Sequence, residues 1–216
     1  MKFKAIIFDL DGTLVNSLED IANSMNGVLQ KRNLQVHETE NYKTFIGNGL
    51  RNLVSTTLPE AQRDDAVIQL CLDEMLAHYS ENCLVKTQLY EGIPALLDEL
   101  VKRGIKLAIF SNKKDELTKK IAAQLLNKWP FEVVVGMTTE ERRKPSPEVP
   151  IEIANKLGLQ PGEIIFAGDS GVDMQTAVNS GMYAAGVTWG FRTAEELTKN
   201  GADVLIHYPA DFFNIL

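Results

Sequence analysis

Near its start the chain reads Phe8-Asp9-Leu10-Asp11-Gly12-Thr13-Leu14, directly after a short apolar run. Side chains of an extended segment point the same way at every second residue, so Asp9 and Asp11 are expected on one side where the strand ends. Two carboxylates so close repel each other, and a bound Mg²⁺, which prefers one or two carboxylates, water and a substrate phosphate, removes that repulsion. Gly12 lets the chain turn and brings backbone N–H groups towards an anion. Taken alone, Asp-Gly is equally typical of a plain turn after a strand.

Apolar, β-rich runs recur along the chain, and a helix-length segment follows each of them. They are Lys4 to Leu10, Ile105 to Phe110, Phe131 to Val135, Ile164 to Ala167 and Tyr183 to Val187. Alternation of strand and helix indicates βαβ units and a parallel sheet. The runs are apolar at nearly every position, as in strands covered by helices on both faces. The sequence therefore predicts an α/β fold, a Rossmann-like doubly wound parallel sheet.

Residues 15–82 break this rhythm, because they contain no comparable run and show amphipathic helical patterns instead. Helical spacing is seen at Ile21, Met25, Val28 and Leu29, and again at Val67, Leu70, Cys71 and Met75. We therefore expect an inserted helical domain, residues 15–82, and a core made of residues 1–14 and 83–216. The ends of the insertion, near Leu14 and Asn82, are expected to form a hinge at the carboxyl edge of the sheet, where open α/β sheets bind ligands.

The composition excludes several classes of partner. Of 216 residues, 22 are Lys or Arg and 29 are Asp or Glu, which gives a net charge of −7 without the basic excess that nucleic-acid binding needs. The apolar runs fall far short of the ~20 residues that span a bilayer. An acidic loop begins by Asp9, which leaves no room for a secretory signal. We expect a cytoplasmic protein, monomeric or homodimeric, that binds neither nucleic acid nor membrane.

Polar side chains also follow three of the later runs. Ser111-Asn112-Lys113 offers a hydroxyl and an amide that could donate to a phosphoryl oxygen, although such a pair is usually a helix N-cap. Arg142-Arg143-Lys144-Pro145-Ser146-Pro147 places Lys144 just before a helix that Pro147 can open, and such a lysine is normally a solvated surface charge. Gly168-Asp169-Ser170-Gly171-Val172-Asp173 supplies two carboxylates that could bind a cation or cap a helix.

This set of strand ends, in this order, resembles the haloacid dehalogenase superfamily, specifically its phosphatase branch. The resemblance covers essentially the whole chain. The first motif of that family, DxDGT, matches Asp9 to Thr13, and the second, a Thr or Ser after a strand, matches Ser111. The third, a Lys commonly before Pro, matches Lys144, and the fourth, GDSxxD, matches Gly168 to Asp173. The helical insertion after the first motif is similar to the small helical cap of the family.

The resemblance implies a phosphomonoester hydrolase in which Asp9 attacks phosphorus and forms an aspartyl-phosphate. Asp11 is then implied to protonate the leaving alkoxide and afterwards to deprotonate the attacking water. An aspartate at this second position also argues against dehalogenase chemistry, since the dehalogenases of the family lack it. Ser111 and Lys144 are implied to hold the phosphoryl oxygens, with Gly12 and Asn112 as further candidate contacts of the substrate.

The resemblance also implies a bound Mg²⁺ as cofactor. Its ligands would be the side chain of Asp9, the backbone carbonyl of Asp11 and the side chain of Asp169. Asp173 is expected to support the metal site from behind these ligands. These implied roles agree with how phosphoryl transfer is catalysed, which is mainly by positioning the reacting groups and by offsetting the charge on the equatorial oxygens.

The choice of substrate is expected to depend on the cap. Phe45-Ile46-Gly47-Asn48-Gly49-Leu50-Arg51 looks like the loop that phosphoglycolate phosphatases turn towards the active site, with Gly47, Asn48 and Arg51 as candidate contacts. A small phosphorylated acid such as 2-phosphoglycolate is therefore the expected substrate. The alternatives are a nucleotidase, a pyrophosphatase, a sugar phosphatase or a β-phosphoglucomutase of the same superfamily. A non-catalytic binding protein is disfavoured, because every catalytic residue of the motifs is present.

Overall fold

A computed structural model of the chain describes residues 2–47 and 49–216, so Asn48, a candidate contact of the substrate, lies outside the described residues. The strands are β1 Ala5–Phe8, β2 Val15–Asn16, β3 Gln88–Leu89, β4 Lys106–Lys114, β5 Phe131–Met137, β6 Ile164–Gly168, β7 Tyr183–Val187 and β8 Val204–Ile206. The α-helices are α1 Leu18–Lys31, α2 Tyr42–Phe45, α3 Gly49–Thr57, α4 Asp65–Asn82, α5 Ile93–Lys102, α6 Asp115–Leu125, α7 Glu148–Leu157, α8 Gly171–Ser180 and α9 Ala194–Lys199.

Six strands of the described chain form one sheet in the order β5-β4-β1-β6-β7-β8, with every neighbouring pair parallel. Strands β4 and β5 follow β1 on one side of it in the sheet. The chain then returns to the other side of β1, where it forms β6, β7 and β8. This is the order of a doubly wound fold, whose ligand crevice lies at the carboxyl end of the strands where the winding reverses. Helices pack on both sides of the sheet, and the predicted α/β fold is confirmed.

The central strands are buried along their whole length. Every residue of β1 and of β6 is buried, and the core includes Ile7, Phe110, Phe166 and Met174. Helices on both faces remove both sides of each strand from water, so apolar residues are favoured at successive positions and not only at alternate ones. This is why the strands could be recognised from uninterrupted apolar runs.

Two features of the sheet were not predicted. The edge strand β8 has only three residues, which is too short for an apolar pattern to stand out. Strand β4 was expected to end at Phe110, but it continues to Lys114 through a shift in its pairing with β5. The added residues are polar, so they carry no strand-like apolar pattern, and they include the second motif.

The chain divides into two compact units, one of residues up to Asn16 with Leu89–Leu216 and the other of Ser17–Gln88. These boundaries lie two and six residues beyond those drawn from the sequence, at the end of β2 and within its paired strand β3. The second unit contains helices α1 to α4, and its role as a cap stays a prediction. Nowhere in the described chain is a helix both long and apolar enough to cross a membrane.

The buried face of α4 differs from the predicted one. Ile68, Cys71, Met75 and Tyr79 are buried, whereas Leu70, assigned to this face from its spacing, is 55% exposed. Leu70 neighbours Cys71 in sequence but lies about 100° away from it around a helix of 3.6 residues per turn. The interior face therefore runs through Ile68, and the assignment of Leu70 was wrong.

Candidate active site

Asp9 is the first residue after β1, at the carboxyl end of the central strand. Its backbone N–H donates to the carbonyl of Ala167 on β6 at 2.8 Å, which extends the sheet pairing by one residue and fixes where its side chain begins. The Asp9 side chain is buried, and its Oδ1 lies 2.7 Å from Nζ of Lys144. A carboxylate is thus held at the ligand-binding edge of the sheet, next to one ammonium group.

Lys144 is a buried residue and not the solvated lysine that its type alone suggests. Its side chain is 3% exposed, and Nζ lies 2.6 Å from Oδ1 of Asp173 as well as beside Asp9. The side chain of Asn112 holds the Lys144 backbone, since Oδ1 accepts from its N–H at 2.8 Å and Nδ2 donates to its carbonyl at 3.3 Å. Direct contacts therefore join Lys144 of the third motif to Asp173 of the fourth and to Asn112, the residue after the second motif.

Asp173 caps helix α8, which is one of the two roles that the sequence left open for the fourth motif. Its Oδ2 accepts from the backbone N–H and the hydroxyl of Ser170, which forms a capping box at the start of α8, while Oδ1 faces Lys144. One side chain thus caps a helix and positions a lysine. The contact with Lys144 is a third role, which the sequence did not indicate.

Burial and neighbouring charges shift the pKa values of Asp9 and Lys144. It raises the pKa of Asp9 to about 6, with Asp173 and Asp11 acting in the same direction and Lys144 opposing them. Burial by itself would lower the pKa of Lys144, but the nearby carboxylates of Asp173 and Asp9 outweigh it and the pKa is raised. Lys144 therefore stays positively charged at neutral pH, while at Asp9 the positive charge of Lys144 only partly offsets burial and the neighbouring carboxylates.

Asp169 follows β6 and is held by two donors. Its Oδ1 accepts from the hydroxyl of Thr13 at 3.1 Å, and its Oδ2 accepts from the backbone N–H of Phe191 at 2.8 Å. Burial, followed by the charges of Asp173 and Asp9, raises the pKa of Asp169 well above its usual value. The carboxylate is fixed in orientation yet has an unfavourable excess of negative charge around it.

Two glycines make room for Asp169. A Cβ atom on Gly12, whose φ is +85°, would lie 2.3 Å from Oδ2 of Asp169, and one on Gly190 would lie 2.3 Å from the Asp169 Cβ. The indole N–H of the neighbouring Trp189 donates to the carbonyl of Thr13 at 3.0 Å. The sequence indicated that Trp189, shortly after the end of a strand, could line the cleft, but it did not indicate that residues 190 and 191 contact Asp169.

The oxygens of this cluster fit a hard divalent cation. One carboxylate oxygen from each of Asp9, Asp169 and Asp173 lies within 4.8 Å of the others. The buried Oδ1 of Asp9 lies 2.7 Å from Nζ of Lys144, with which it forms an ion pair. Mg²⁺ is usually bound in proteins through one or two such carboxylates, together with water and substrate phosphate.

Asp11 forms an ion pair with Lys113. Its Oδ2 lies 3.0 Å from Nζ of Lys113, and the two side chains are 11% and 3% exposed. Sequence reasoning gave Lys113 no role and expected a cation to relieve the repulsion between Asp9 and Asp11. The structure shows that Lys144, beside Asp9, and Lys113, beside Asp11, already offset part of this repulsion.

The formal charge of the whole cluster also fits a divalent cation. The four carboxylates of Asp9, Asp11, Asp169 and Asp173 and the ammonium groups of Lys113 and Lys144 give a net charge of −2, which one divalent cation would balance.

Ser111 lies in the polar extension of β4. It is buried, and its Oγ accepts from the backbone N–H of Lys113 at 3.3 Å. Because β1 and β4 are parallel neighbours paired up to Phe8 and Ile109, the residues that follow these two run side by side. The register of the sheet therefore carries the second motif alongside the first.

In the helical unit, Arg51, a predicted substrate-binding residue, forms hydrogen bonds with residues of the same unit. Arg51 donates to Oδ1 of Asp65 at 2.8 Å and to Oε1 of Gln69 at 3.0 Å, and its side chain is 46% exposed. Gly47 and Gly49 have φ angles of +115° and +80°, which are conformations that favour glycine. The sequence identified this glycine turn, while the partners of Arg51 could not be inferred from spacing.

Comparison with known proteins extends these observations. The model of the family described as haloacid dehalogenase-like hydrolase matches residues 6–187. A phosphoglycolate phosphatase of Aquifex aeolicus is 32% identical over 213 residues, which cover 99% of this chain and 96% of that protein. An N-acetylmuramic acid 6-phosphate phosphatase of Pseudomonas aeruginosa is 27% identical, with 100% and 96% covered. The crystal structure of a predicted phosphoglycolate phosphatase from Haemophilus somnus has a TM-score of 0.90 at 29% identity, with 100% and 98% covered.

Proposed function

Since this chain belongs to the haloacid dehalogenase-like hydrolase family, we propose that it is a Mg²⁺-dependent phosphomonoester hydrolase that works through an aspartyl-phosphate on Asp9. Its membership confirms the predicted superfamily, and together with relatives named as phosphatases it confirms the predicted class of enzyme, a phosphatase. The observation that supports the mechanism most is the buried carboxylate of Asp9, which lies at the carboxyl end of β1 and forms an ion pair with the buried Lys144.

Asp9 is the proposed nucleophile. Its carboxylate attacks phosphorus as the bond from phosphorus to the leaving oxygen breaks, and water then attacks the aspartyl-phosphate to release phosphate and restore Asp9. Lys144, which the surrounding carboxylates keep charged, and the hydroxyl of Ser111 hold phosphoryl oxygens during both steps. The side chain of Asn112 holds the backbone of Lys144. We therefore assign Asn112 a role in positioning Lys144, in place of the predicted contact with substrate.

Asp169 and Asp9 are the proposed side-chain ligands of Mg²⁺, with the backbone carbonyl of Asp11 as a third. Asp173 faces Lys144 and Ser170, and its part is to position the lysine. When bound, the cation supplies positive charge that offsets the charge of the transferring phosphoryl group. Thr13, Phe191 and the glycines beside Asp169 hold that carboxylate in one orientation beforehand.

Asp11 is the proposed acid and base. It gives a proton to the leaving oxygen in the first step and takes one from the attacking water in the second. Asp11→Asn is expected to lower kcat/KM for alkyl phosphates by about 10²–10⁴-fold, because an alkoxide leaves poorly without a proton. The loss with p-nitrophenyl phosphate should be much smaller, since p-nitrophenolate is a stable anion. Equal losses for the two substrates would contradict an acid role for Asp11.

A small phosphorylated acid is the proposed substrate. Phosphoglycolate and N-acetylmuramic acid 6-phosphate, named for two of the relatives, each combine a phosphate monoester with a carboxylate. A panel of phosphorylated metabolites assayed with Mg²⁺ tests this proposal, and the acids should give the highest kcat/KM. Preference for nucleotides, pyrophosphate or neutral sugar phosphates would contradict it. So would conversion of β-glucose 1-phosphate without stoichiometric release of phosphate, which would indicate a mutase.

Arg51 is the proposed group that selects the acid. A charge-assisted hydrogen bond to a carboxylate is worth ~1.5–3 kcal/mol, so Arg51→Ala should lower kcat/KM for 2-phosphoglycolate roughly ten- to hundredfold. p-Nitrophenyl phosphate, which has no carboxylate, should be nearly unaffected. Asp65→Ala is the matched control, because it removes the exposed ion pair but keeps Arg51. Equal losses for both substrates, or the same loss in Asp65→Ala, would show that the arginine acts only on the fold.

A further inference from the structure

The ion pair of Lys113 and Asp11 is a contact that the proposed reaction does not yet use. Nζ of Lys113 lies 3.0 Å from Oδ2 of Asp11, and the lysine side chain is 3% exposed. A lysine loses much of its hydration when it is buried to this extent, and it is tolerated where a counter-charge compensates for the loss. The carboxylate of Asp11 provides that compensation, so the two side chains depend on each other for their position.

The backbone of Lys113 is held in place by contacts from the elements around it. The hydroxyl of Thr118 on α6 donates to the carbonyl of Lys113 at 3.2 Å, and the Lys113 N–H donates to Oγ of Ser111. Gly136 on β5 packs so closely that a Cβ atom there would lie 2.6 Å from the same carbonyl. The ammonium group therefore extends from a fixed point on the sheet and not from a free loop.

The other lysine of the site has different partners. Lys144 lies between Asp9 and Asp173, at 2.7 and 2.6 Å, so its charge is directed to the nucleophile and to α8. The negative charge of Asp11 also acts on Asp9 and raises its pKa. Without Lys113, repulsion between the two carboxylates would favour rotation of Asp11 away from its position.

We propose that Lys113 is a positioning residue that holds Oδ2 of Asp11 and so fixes the carboxylate for proton transfer to the leaving group. This inference rests on the proposed function, in which Asp11 is the acid. A displacement of about 1 Å in a reacting group can cost a factor of about 10² in rate, so a single fixed contact is enough to matter. Lys113 itself touches Asp11 and acts on the substrate only through it.

Lys113→Met tests this role, because methionine has a similar length but no charge. The expected result is a fall of about 10- to 100-fold in kcat/KM for alkyl phosphates such as 2-phosphoglycolate, with p-nitrophenyl phosphate changed much less. A lysine that only supported the fold would lower both equally. Lys199→Met, at an exposed lysine on α9, is the control for the substitution itself and should leave both substrates unchanged.

A double-mutant cycle identifies the partner through which Lys113 acts. If its effect passes through Asp11, Lys113→Met should cause no further loss of kcat/KM when it is added to Asp11→Asn. Additive losses, or equal losses for the two substrates, would overturn the proposal and indicate a direct contact with phosphate. If the methionine variant does not fold, Lys113→Gln, which is polar but uncharged, allows the same comparison. Wild-type protein that hydrolyses no phosphate ester would refute the proposed function itself, whereas an active wild type with an unaffected Lys113 variant refutes this inference alone.

Discussion

Asp9→Asn is expected to lower kcat by a factor of more than about 10⁴, while the protein stays folded. An amide has nearly the same shape as the carboxylate, but it is a far weaker nucleophile and carries no charge for Lys144 or for a cation. Asp9 is buried, and its charge is disfavoured by burial and by Asp173, so the loss of that charge does not threaten the fold. Turnover of p-nitrophenyl phosphate and the melting temperature are the two measurements.

Asp20→Asn provides a control for Asp9→Asn at another buried aspartate. Asp20 lies in the helical unit, and its carboxylate accepts hydrogen bonds from the backbone N–H groups of Lys86 and Thr87. Its substitution should lower the melting temperature and leave the chemical step intact. A loss of only a few-fold in Asp9→Asn, at an unchanged melting temperature, would rule out Asp9 as the nucleophile.

Removal of divalent cations is the second change expected to have a very large effect. Activity should disappear in excess chelator and return with Mg²⁺, with Mn²⁺ or Co²⁺ partly replacing it. Ca²⁺ should inhibit, because it takes about 6–8 oxygens and often binds both oxygens of a carboxylate, which would engage the Asp9 oxygen that must attack. Full activity in excess chelator would be incompatible with the proposed site.

Two substitutions separate the metal-binding carboxylate from the carboxylate that positions Lys144. Asp169→Ala should raise the Mg²⁺ concentration that gives half-maximal activity by at least about tenfold. Asp173→Ala should affect that requirement less and lower kcat at saturating Mg²⁺, because Asp173 holds Lys144. The same Mg²⁺ dependence for both variants would contradict this assignment.

The fold was predictable because its strands are buried on both faces. The sequence of β1 and β6 is apolar throughout, and such runs, alternating with helices, indicate a doubly wound sheet without further information. Strand β8 was missed because its apolar run of three residues is too short to stand out from the rest of the sequence. The end of β4, from Ser111 to Lys114, was missed because its residues are polar and so lack the apolar pattern by which the other strands were recognised.

The site was predictable only in part, because a motif gives residue types but not their partners. Lys144 taken alone is typical of a surface lysine, and it was identified through its place in a set of four motifs. The pairing of Lys113 with Asp11 and the hydrogen bond from Phe191 to Asp169 join residues far apart in sequence. Such contacts depend on strand order and register, which the local sequence does not specify. The cytoplasmic location and the monomeric or homodimeric state stay predictions.

The stereochemical course at phosphorus tests the central claim most directly, because it does not require the aspartyl-phosphate to accumulate. The substrate is a phosphorothioate monoester made chiral with oxygen isotopes, hydrolysed by the wild-type enzyme in water of a third isotope. Attack by Asp9 followed by attack by water inverts the configuration twice, so the account predicts net retention in the released thiophosphate. Net inversion would mean that water attacks the substrate directly, and it would contradict an aspartyl-phosphate on Asp9.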